Sequence, residues 1–578
     1  MLTKLIGRFG GRYRGWFALI VLLQAAASVA SLMLPNLNAR IIDTGVAYGD
    51  TAYIWRTGGR MLAVGGAQVV AQCLAAVLGA RLAMGIGRDI RAGLFHTVLN
   101  YSSQEVDHFG APSLITRTTN DVQQVQQLIL MTCIMILGAP FTMVGAVIMA
   151  LREDMGLSWI VAVAVAVLIV LVGAIVRQMT PAFRKNQRSI DRINQVVREQ
   201  LSGIRVIRAF VRERRERKRF DTANRSLMLL GFRIGAFFSL LIPIVMLIMN
   251  ASTVGVWWFG GLRVDSGDIQ VGQITAFMTY MFQMLMSVMM AAIMMIQLPR
   301  AQVCAGRIMA VLRTRSTVVP ADRPVRKLAE TGSMEMTDVE FSYPGAEEPV
   351  LHDINISLRP GTTTAVIGST GSGKTTLANL VPRLYDVTGG SIKLDGVDIR
   401  RLDMDLLWSR IGLVPQRPYL FSGTVASNLR YGSPEATDDQ MWAALATAQA
   451  ADFVEQMDGG LEAPIAQGGS NVSGGQRQRL SIARALVKRP EIYVFDDAFS
   501  ALDVATDARL RVALAAETRD AAVLIVAQRV STIRDADQII VLDSGRIVGH
   551  GTHAELLTEC TTYQEIVHSQ MSAEEAAA

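Results

Sequence analysis

Gly368, Ser369, Thr370, Gly371, Ser372, Gly373, Lys374, Thr375 and Thr376 form a run in which glycines lead into a lysine and two hydroxyls, a combination suited to holding phosphate. Small residues let successive backbone N–H groups ring an anion. Lys374 is placed to neutralise β- and γ-phosphates, and the Thr375 hydroxyl to ligate magnesium. The flanks suit this reading, because TTTAVI ahead of the run is strand-like and TLANLV behind it is helix-forming. The expected ligands are ATP and Mg2+. A second cluster lies downstream in VFDDAFSALD, Val494 to Asp503, where Asp496 and Asp497 close a hydrophobic stretch. It reads as the magnesium end of an ATPase site.

These groups need a soluble α/β scaffold, yet the chain as a whole is too oily for one. Of 578 residues, 51% are hydrophobic and only 18% charged, and the mean hydropathy is +0.31. The apolar runs lie in residues 1 to about 300; from about 333 the pattern alternates between short strands and helices. Crossing about 30 Å of hydrocarbon takes about 20 helical residues. Six segments qualify, near 16–42, 59–84, 126–150, 157–178, 233–260 and 272–297. The expected fold class is an all-α six-helix transmembrane domain followed by an α/β P-loop nucleotide-binding domain. The boundaries are 1–313 for the membrane domain, 314–332 for a linker containing Pro320 and Pro324, and 333–578 for the soluble domain.

A net charge of +6 and a pI near 9.2 raise the question of nucleic acid. The arginines, however, lie beside apolar segments and in the loops between them, not in one aromatic-interleaved patch, which speaks for membrane topology and against nucleic-acid binding. The loops 81–121 and 177–233 are long and Arg-rich, whereas the connections near 43–56, 151–157 and 262–270 are short and nearly balanced. The positive-inside rule therefore puts both termini and both long loops in the cytoplasm. Ser102–Val122 and Val197–Glu213 read as the transverse helical turns of those loops. Lys4, Arg8, Arg12 and Arg14 precede an apolar run with no small-residue cleavage site, which reads as an interfacial elbow helix leading into a retained span.

Cys73, Cys133, Cys304 and Cys560 are widely spaced without a CxxC or His cluster, so neither a zinc site nor a disulfide framework is expected. Pro35, Pro140, Pro181 and Pro243 fall in or beside spans, where kinks are permitted. The fifth and sixth spans carry Met246, Met249, Met278, Met281, Met284, Met286, Met289, Met290, Met294 and Met295, which read either as an adaptable pocket or as packing and lipid-facing positions.

With Val472-Ser473-Gly474-Gly475-Gln476 and the following RQRLSIARAL added, the chain resembles an ABC half-transporter of the exporter fold over nearly its whole length. Ser473, Gly474, Gly475 and Gln476 match the family's signature motif, which in that family completes the ATP site of the opposite cassette. The resemblance further implies that Tyr343 stacks on adenine and that Gln416 joins the magnesium site to the membrane coupling helices. It implies too that Asp496 holds magnesium through water and that Asp503 communicates across paired cassettes. Thr375, Gln416 and Asp496 are the implied metal set.

Two positions depart from the family pattern. Asp497 stands where Glu usually serves as general base, and Gln528 stands where a His usually contacts the γ-phosphate. Hydrogen-bond reach is about 2.6 to 3.2 Å, so an arm shortened by one bond is expected to cost on the order of 10²-fold in rate. Gln467 also replaces an acid common just before the signature. A poor hydrolysis centre beside a good signature is what one subunit of a heterodimer would carry, and the chain resembles the degenerate-site subunit of bacterial heterodimeric multidrug or lipid transporters, mycobacterial ones among them. The expected partners are a second, non-identical half-transporter, membrane lipids and a hydrophobic or amphipathic substrate such as a lipid, fatty acid or drug, in a bacterial plasma membrane. A regulatory ATP-binding half, a lipid or siderophore importer of exporter fold and an active homodimeric exporter are the rival readings.

Overall fold

The computed structural model describes residues 1–328 and 332–570; residues 329–331 of the expected linker, the chain end from 571 and the side chain of Met295 lie outside the described residues. The chain divides into two compact units, one of residues 1–99 and 110–314, the other of residues 100–109 and 315–578.

Apolar length dictates the first unit. Among the described residues, six helices are long and apolar enough to cross a membrane: Leu2–Val46, Thr51–Leu99, Ala111–Glu153, Ser158–Ser202, Glu213–Asp265 and Val271–Ala291. The second of these, Thr51–Leu99, is one helix of 49 residues, about 74 Å at 1.5 Å per residue. A bilayer's hydrocarbon core takes less than half of that, so the remainder projects into water and the long polar loops are continuations of the spans. An elbow precedes the first span: helix Leu2–Gly10, a tight turn Gly11–Tyr13, then helix Arg14–Arg40.

The prolines have local consequences. Pro35, Pro181, Pro243 and Pro299 lie inside helices, and Pro140 falls in the first turn of Gly138–Glu153. Just before Pro140 the helix widens into a π turn, Thr132–Ile136, closed by Leu137 N–H donating to the Thr132 carbonyl at 3.0 Å. Widened turns of this kind mark kinks and functional sites. At the ends joined by short connections, Asp154, 8% exposed, accepts from Leu157 N–H at 2.9 Å and pairs with the Arg263 guanidinium at 3.0 Å. A carboxylate buried that far needs such partners, since its desolvation costs several kcal/mol. The methionine stretch divides by role: Met281 and Met284 are core, Met246 is exposed, and Met290 and Met294 line cavities. All four cysteines are free.

Two sheets organise the second unit. One is four-stranded and antiparallel, in the order Leu351–Leu358, Met334–Phe341, Gly389–Leu394, Val397–Asp398. The other is six-stranded, in the order Arg546–Gly551, Gln538–Asp543, Thr363–Gly368, Ala522–Val526, Ile492–Asp496, Ile411–Val414. The last five run parallel, with Val526 in register with both Val366 and Asp496. AVLIV, and IYVF ahead of Asp496, are apolar runs because both faces of a parallel strand are covered. Residues of the expected linker bond within this unit: Val325 exchanges backbone bonds with Arg401 and Asp403, and buried Arg383 donates to the Val319 carbonyl at 3.0 Å. The short helix Ser103–Phe109 belongs to the same unit, with the Tyr385 hydroxyl donating to Asp107 at 3.1 Å and Thr317 N–H to Glu105 at 3.1 Å.

Candidate nucleotide site

Four neighbouring parallel strands, Thr363–Gly368, Ala522–Val526, Ile492–Asp496 and Ile411–Val414, release their chains at the same edge of the sheet. Ligands in open α/β sheets bind outside the carboxyl ends of strands. Here those ends deliver the phosphate loop, Gln528, the Asp496–Asp497 pair and Gln416, four parts that are far apart in sequence.

The phosphate loop turns on Gly371 and Gly373, with φ of +89° and +99°. At Gly373 a side chain would be doubly unwelcome, since a Cβ would stand 2.7 Å from Leu351 Cδ2. The helix Lys374–Leu380 follows. Lys374 is 8% exposed and its Nζ donates to the carbonyls of Gly368 at 2.8 Å and Ser369 at 2.7 Å. Burial pulls its pKa down, while Asp497 and Asp496 oppose that pull. Ser369, Thr370 and Gly371 are exposed at the loop's tip, while Ser372 is buried.

The Thr375 hydroxyl donates to Asp496 Oδ1 at 3.2 Å. Asp496 is 3% exposed, and burial raises its pKa, with Asp497 adding to the rise and the Thr375 bond and Lys374 working against it. Asp497 has φ of +50°, a left-handed conformation that Asp tolerates better than most residues, and its N–H donates to the Val526 carbonyl at 2.9 Å. Its Oδ2 accepts two amide bonds, from Gln416 Nε2 at 3.3 Å and from Gln528 Nε2 at 3.1 Å. Two neutral amides thus hold one short carboxylate. With Gln416 nitrogen turned to Asp497, its side-chain oxygen is left for a cation. The Thr375 hydroxyl, the Gln416 oxygen and Asp496 would hold Mg2+, a hard ion that takes a few oxygen donors and keeps water and phosphate for the rest, and it would neutralise charge on the phosphates. Among the described residues no cluster of three His, Cys, Asp or Glu offers an all-protein cage.

The other sequence-predicted residues stand apart from this network. Ser473 caps the 15-residue helix Gly474–Lys488: its hydroxyl accepts from Gln476 N–H at 3.2 Å, and its own N–H donates to Gln476 Oε1 at 2.9 Å. Ser473 and Gly474 are exposed and Gly475 is half-buried, so the positive end of the helix faces outward. Asp503 caps Val504–Glu517 by accepting from Thr506 N–H at 2.9 Å, and that backbone bond lowers its pKa. Tyr343 is half-buried, edge-on to Phe341 and Tyr385, with its hydroxyl 3.1 Å from Thr376 Oγ1. Gln467 begins a short turn, Gln467–Gly469, and is exposed.

One residue of the site escaped the sequence reading. Gln570 ends the helix Thr561–Gln570 and brackets the loop carrying Gln528, donating to the Gln528 carbonyl at 2.8 Å and accepting from Val530 N–H at 2.9 Å. No sequence signal marks a contact made across some forty positions. Replacing Gln570 with Ala removes both bonds, and with about 1.4 kcal/mol lost the Val530 amide is expected to exchange with solvent about tenfold faster. Hydrogen-exchange mass spectrometry of the 528–534 peptide reads this directly, and unchanged exchange would exclude the bracketing role.

A multi-span helical unit fused to a cassette with a phosphate loop, a paired carboxylate and a capped glycine turn defines a class, and the family comparison agrees. Residues 17–288 match the ABC transporter transmembrane region and residues 351–500 the ABC transporter model. The chain belongs to the ABC transporter family, as a half-transporter with one membrane region and one ATP-binding cassette. It is 50% identical over 574 residues to an uncharacterized ABC transporter ATP-binding protein of Mycobacterium tuberculosis, covering 99% of this chain and 98% of that one. It is 35% identical over 457 residues, 79% of this chain and 72% of the relative, to a fatty acid ABC transporter ATP-binding/permease protein of Mycobacterium bovis. Its fold is that of a bacterial Atm1-family ABC exporter solved with ATP bound, with a TM-score of 0.81 at 24% identity over 97% of this chain and 99% of the other. It is a multi-pass membrane protein that binds ATP and couples ATPase activity to transport.

Proposed function

We propose that this chain is the degenerate-site half of a heterodimeric transporter moving a hydrophobic or amphipathic substrate (lipid, fatty acid or drug) across a bacterial plasma membrane, with both termini and the cassette cytoplasmic. The observation that carries this is the Asp497 carboxylate, one methylene short and held by the amides of Gln416 and Gln528, beside a signature turn that is capped and exposed. Tyr343 serves the adenine, the run Gly368 to Thr376 the phosphates, and Thr375, Gln416 and Asp496 the magnesium. Ser473, Gly474, Gly475 and Gln476 serve the partner's nucleotide, and Asp503 the junction between cassettes. ATP here is bound for long periods, while a partner cassette with consensus catalytic residues does most of the cleavage.

The substrate class is supported by an apolar cavity of about 620 Å3 within the membrane unit, lined by residues such as Pro140, Met143, Val172 and Met290, with Arg177 the one charge among the described lining residues. That size suits a small-molecule site. Export is the direction suggested by the fold. Copurification with the product of the adjacent reading frame tests the reading: ATPase is expected from the pair and little from this chain alone. Substantial turnover by the isolated chain, lost on Asp497→Asn, would overturn it in favour of an active homodimer.

A further inference from the structure

A second apolar cavity, of about 600 Å3, lies under the elbow helix and is walled by that helix and by the second, third and sixth spans. The elbow is pinned on both sides of it. Leu2 and Leu5 are buried at its start; at its end the Tyr13 hydroxyl donates to Asp89 at 2.9 Å, and the Tyr13 and Phe9 rings rest where Gly85 and Gly93 of the second span lack a Cβ. Between the pins, Gly7, Gly10 and Gly11 face the cavity, and a Cβ at Gly7 or Gly11 would meet nothing within 4 Å. The space is therefore held open by a fixed strap.

Its polarity is one-sided. Among the described lining residues Arg14 is the only charge, and it is exposed, while the hydroxyl of Thr132 is turned to its own helix, donating to the Leu128 carbonyl at 2.8 Å. Lys4, Arg8 and Arg12 on the same elbow are exposed and make the segment basic. An apolar chamber with a cationic mouth at a basic interfacial helix complements a long alkyl chain ending in an anion. The cavity also shares Ile136 and Ala291 with the Arg177 chamber, and Ile136 closes the π turn that precedes Pro140. Movement of that partition would join the two.

We propose that the elbow cavity is a loading site for a long-chain carboxylate taken from the adjoining membrane leaflet, its head at Arg14, before passage beside Ile136 and Ala291 to the inner chamber. This rests on the reading of the chain as an amphiphile transporter. The test uses the full-length protein in lipid nanodiscs with a diazirine-bearing palmitate, followed by mapping of the labelled peptides. Label is expected on the segments around Leu2–Phe17 and Leu128–Ile136, competed by palmitate and not by its methyl ester. Gly7→Phe, which fills the space, and Arg14→Glu, which reverses the charge, should each cut that label at least fivefold, whereas Arg177→Ala should leave it. Retained ATP binding serves as the folding check on each variant. Label confined to the peptides of the Arg177 chamber, or elbow label indifferent to both variants, would overturn the loading site and leave the transport reading intact. Absence of competable label anywhere would instead sink the amphiphile reading and the site with it.

Discussion

Replacing Asp497 with glutamate is expected to raise ATP hydrolysis at this chain's own site by about 100-fold, measured as single-turnover cleavage in a heterodimer whose partner phosphate-loop lysine has been removed. The added methylene carries the carboxylate about one bond length further from the strand end. As Asp, Oδ2 is already committed to Gln416 and Gln528, 3.3 and 3.1 Å away. Backbone conformation works against the change, because position 497 has φ of +50°, where Glu is less at ease than Asp. That cost is on the order of 1 kcal/mol and falls mainly on stability. Since Gln528 cannot carry a positive charge, Asp497→Glu combined with Gln528→His should exceed the single change. No gain from either would mean that arm length and charge at these positions do not limit the reaction.

The second large effect lies in the signature turn. Gly474→Asp is expected to lower ATPase of the assembled transporter by 10²- to 10³-fold, the scale set by loss of one well-aimed donor in a transition state. The structure makes this substitution unusually clean. A Cβ at Gly474 meets nothing within 4 Å, and an acidic residue in the first turn of Gly474–Lys488 complements the helix dipole, so the variant should fold normally. What it spoils is the exposed positive helix end where a partner's phosphate would dock. Lys374→Ala, which cripples this chain's own loop, should cost the pair far less. Equal losses from the two variants would argue that both sites hydrolyse, and therefore against the division of labour.

The order of motifs made the cassette legible from sequence, because each motif is short and carries its own local physics. Glycines at 371 and 373 are required by left-handed φ, and the Ser473–Gln476 box caps a helix with residues three apart. The spans were legible for a different reason, since twenty apolar residues in a row have few other uses. What could not be read was where the apolar surface would fail to close. Gly7, Gly10 and Gly11 look like ordinary small residues until Leu5 and Tyr13 are seen fastening the elbow on either side of them. Nor could the linker's partners be read: Val319 and Val325 bond to residues some 64 to 78 positions away.

The opening pair of carboxylates shows the division most clearly. Residue identity alone determined that Asp497 is a methylene shorter than Glu and that Gln528 cannot be a cation, because arm length and ionisation belong to the side chain wherever it lies. Only the tertiary structure decided that these two meet, along with Gln416, on a single carboxylate oxygen, and that Gln570 fixes the loop behind them. Strand order is the reason. Ala522–Val526 is threaded between the phosphate-loop strand and the strand that ends in Asp496, a pairing set by packing across the whole sheet and written in no local run of residues.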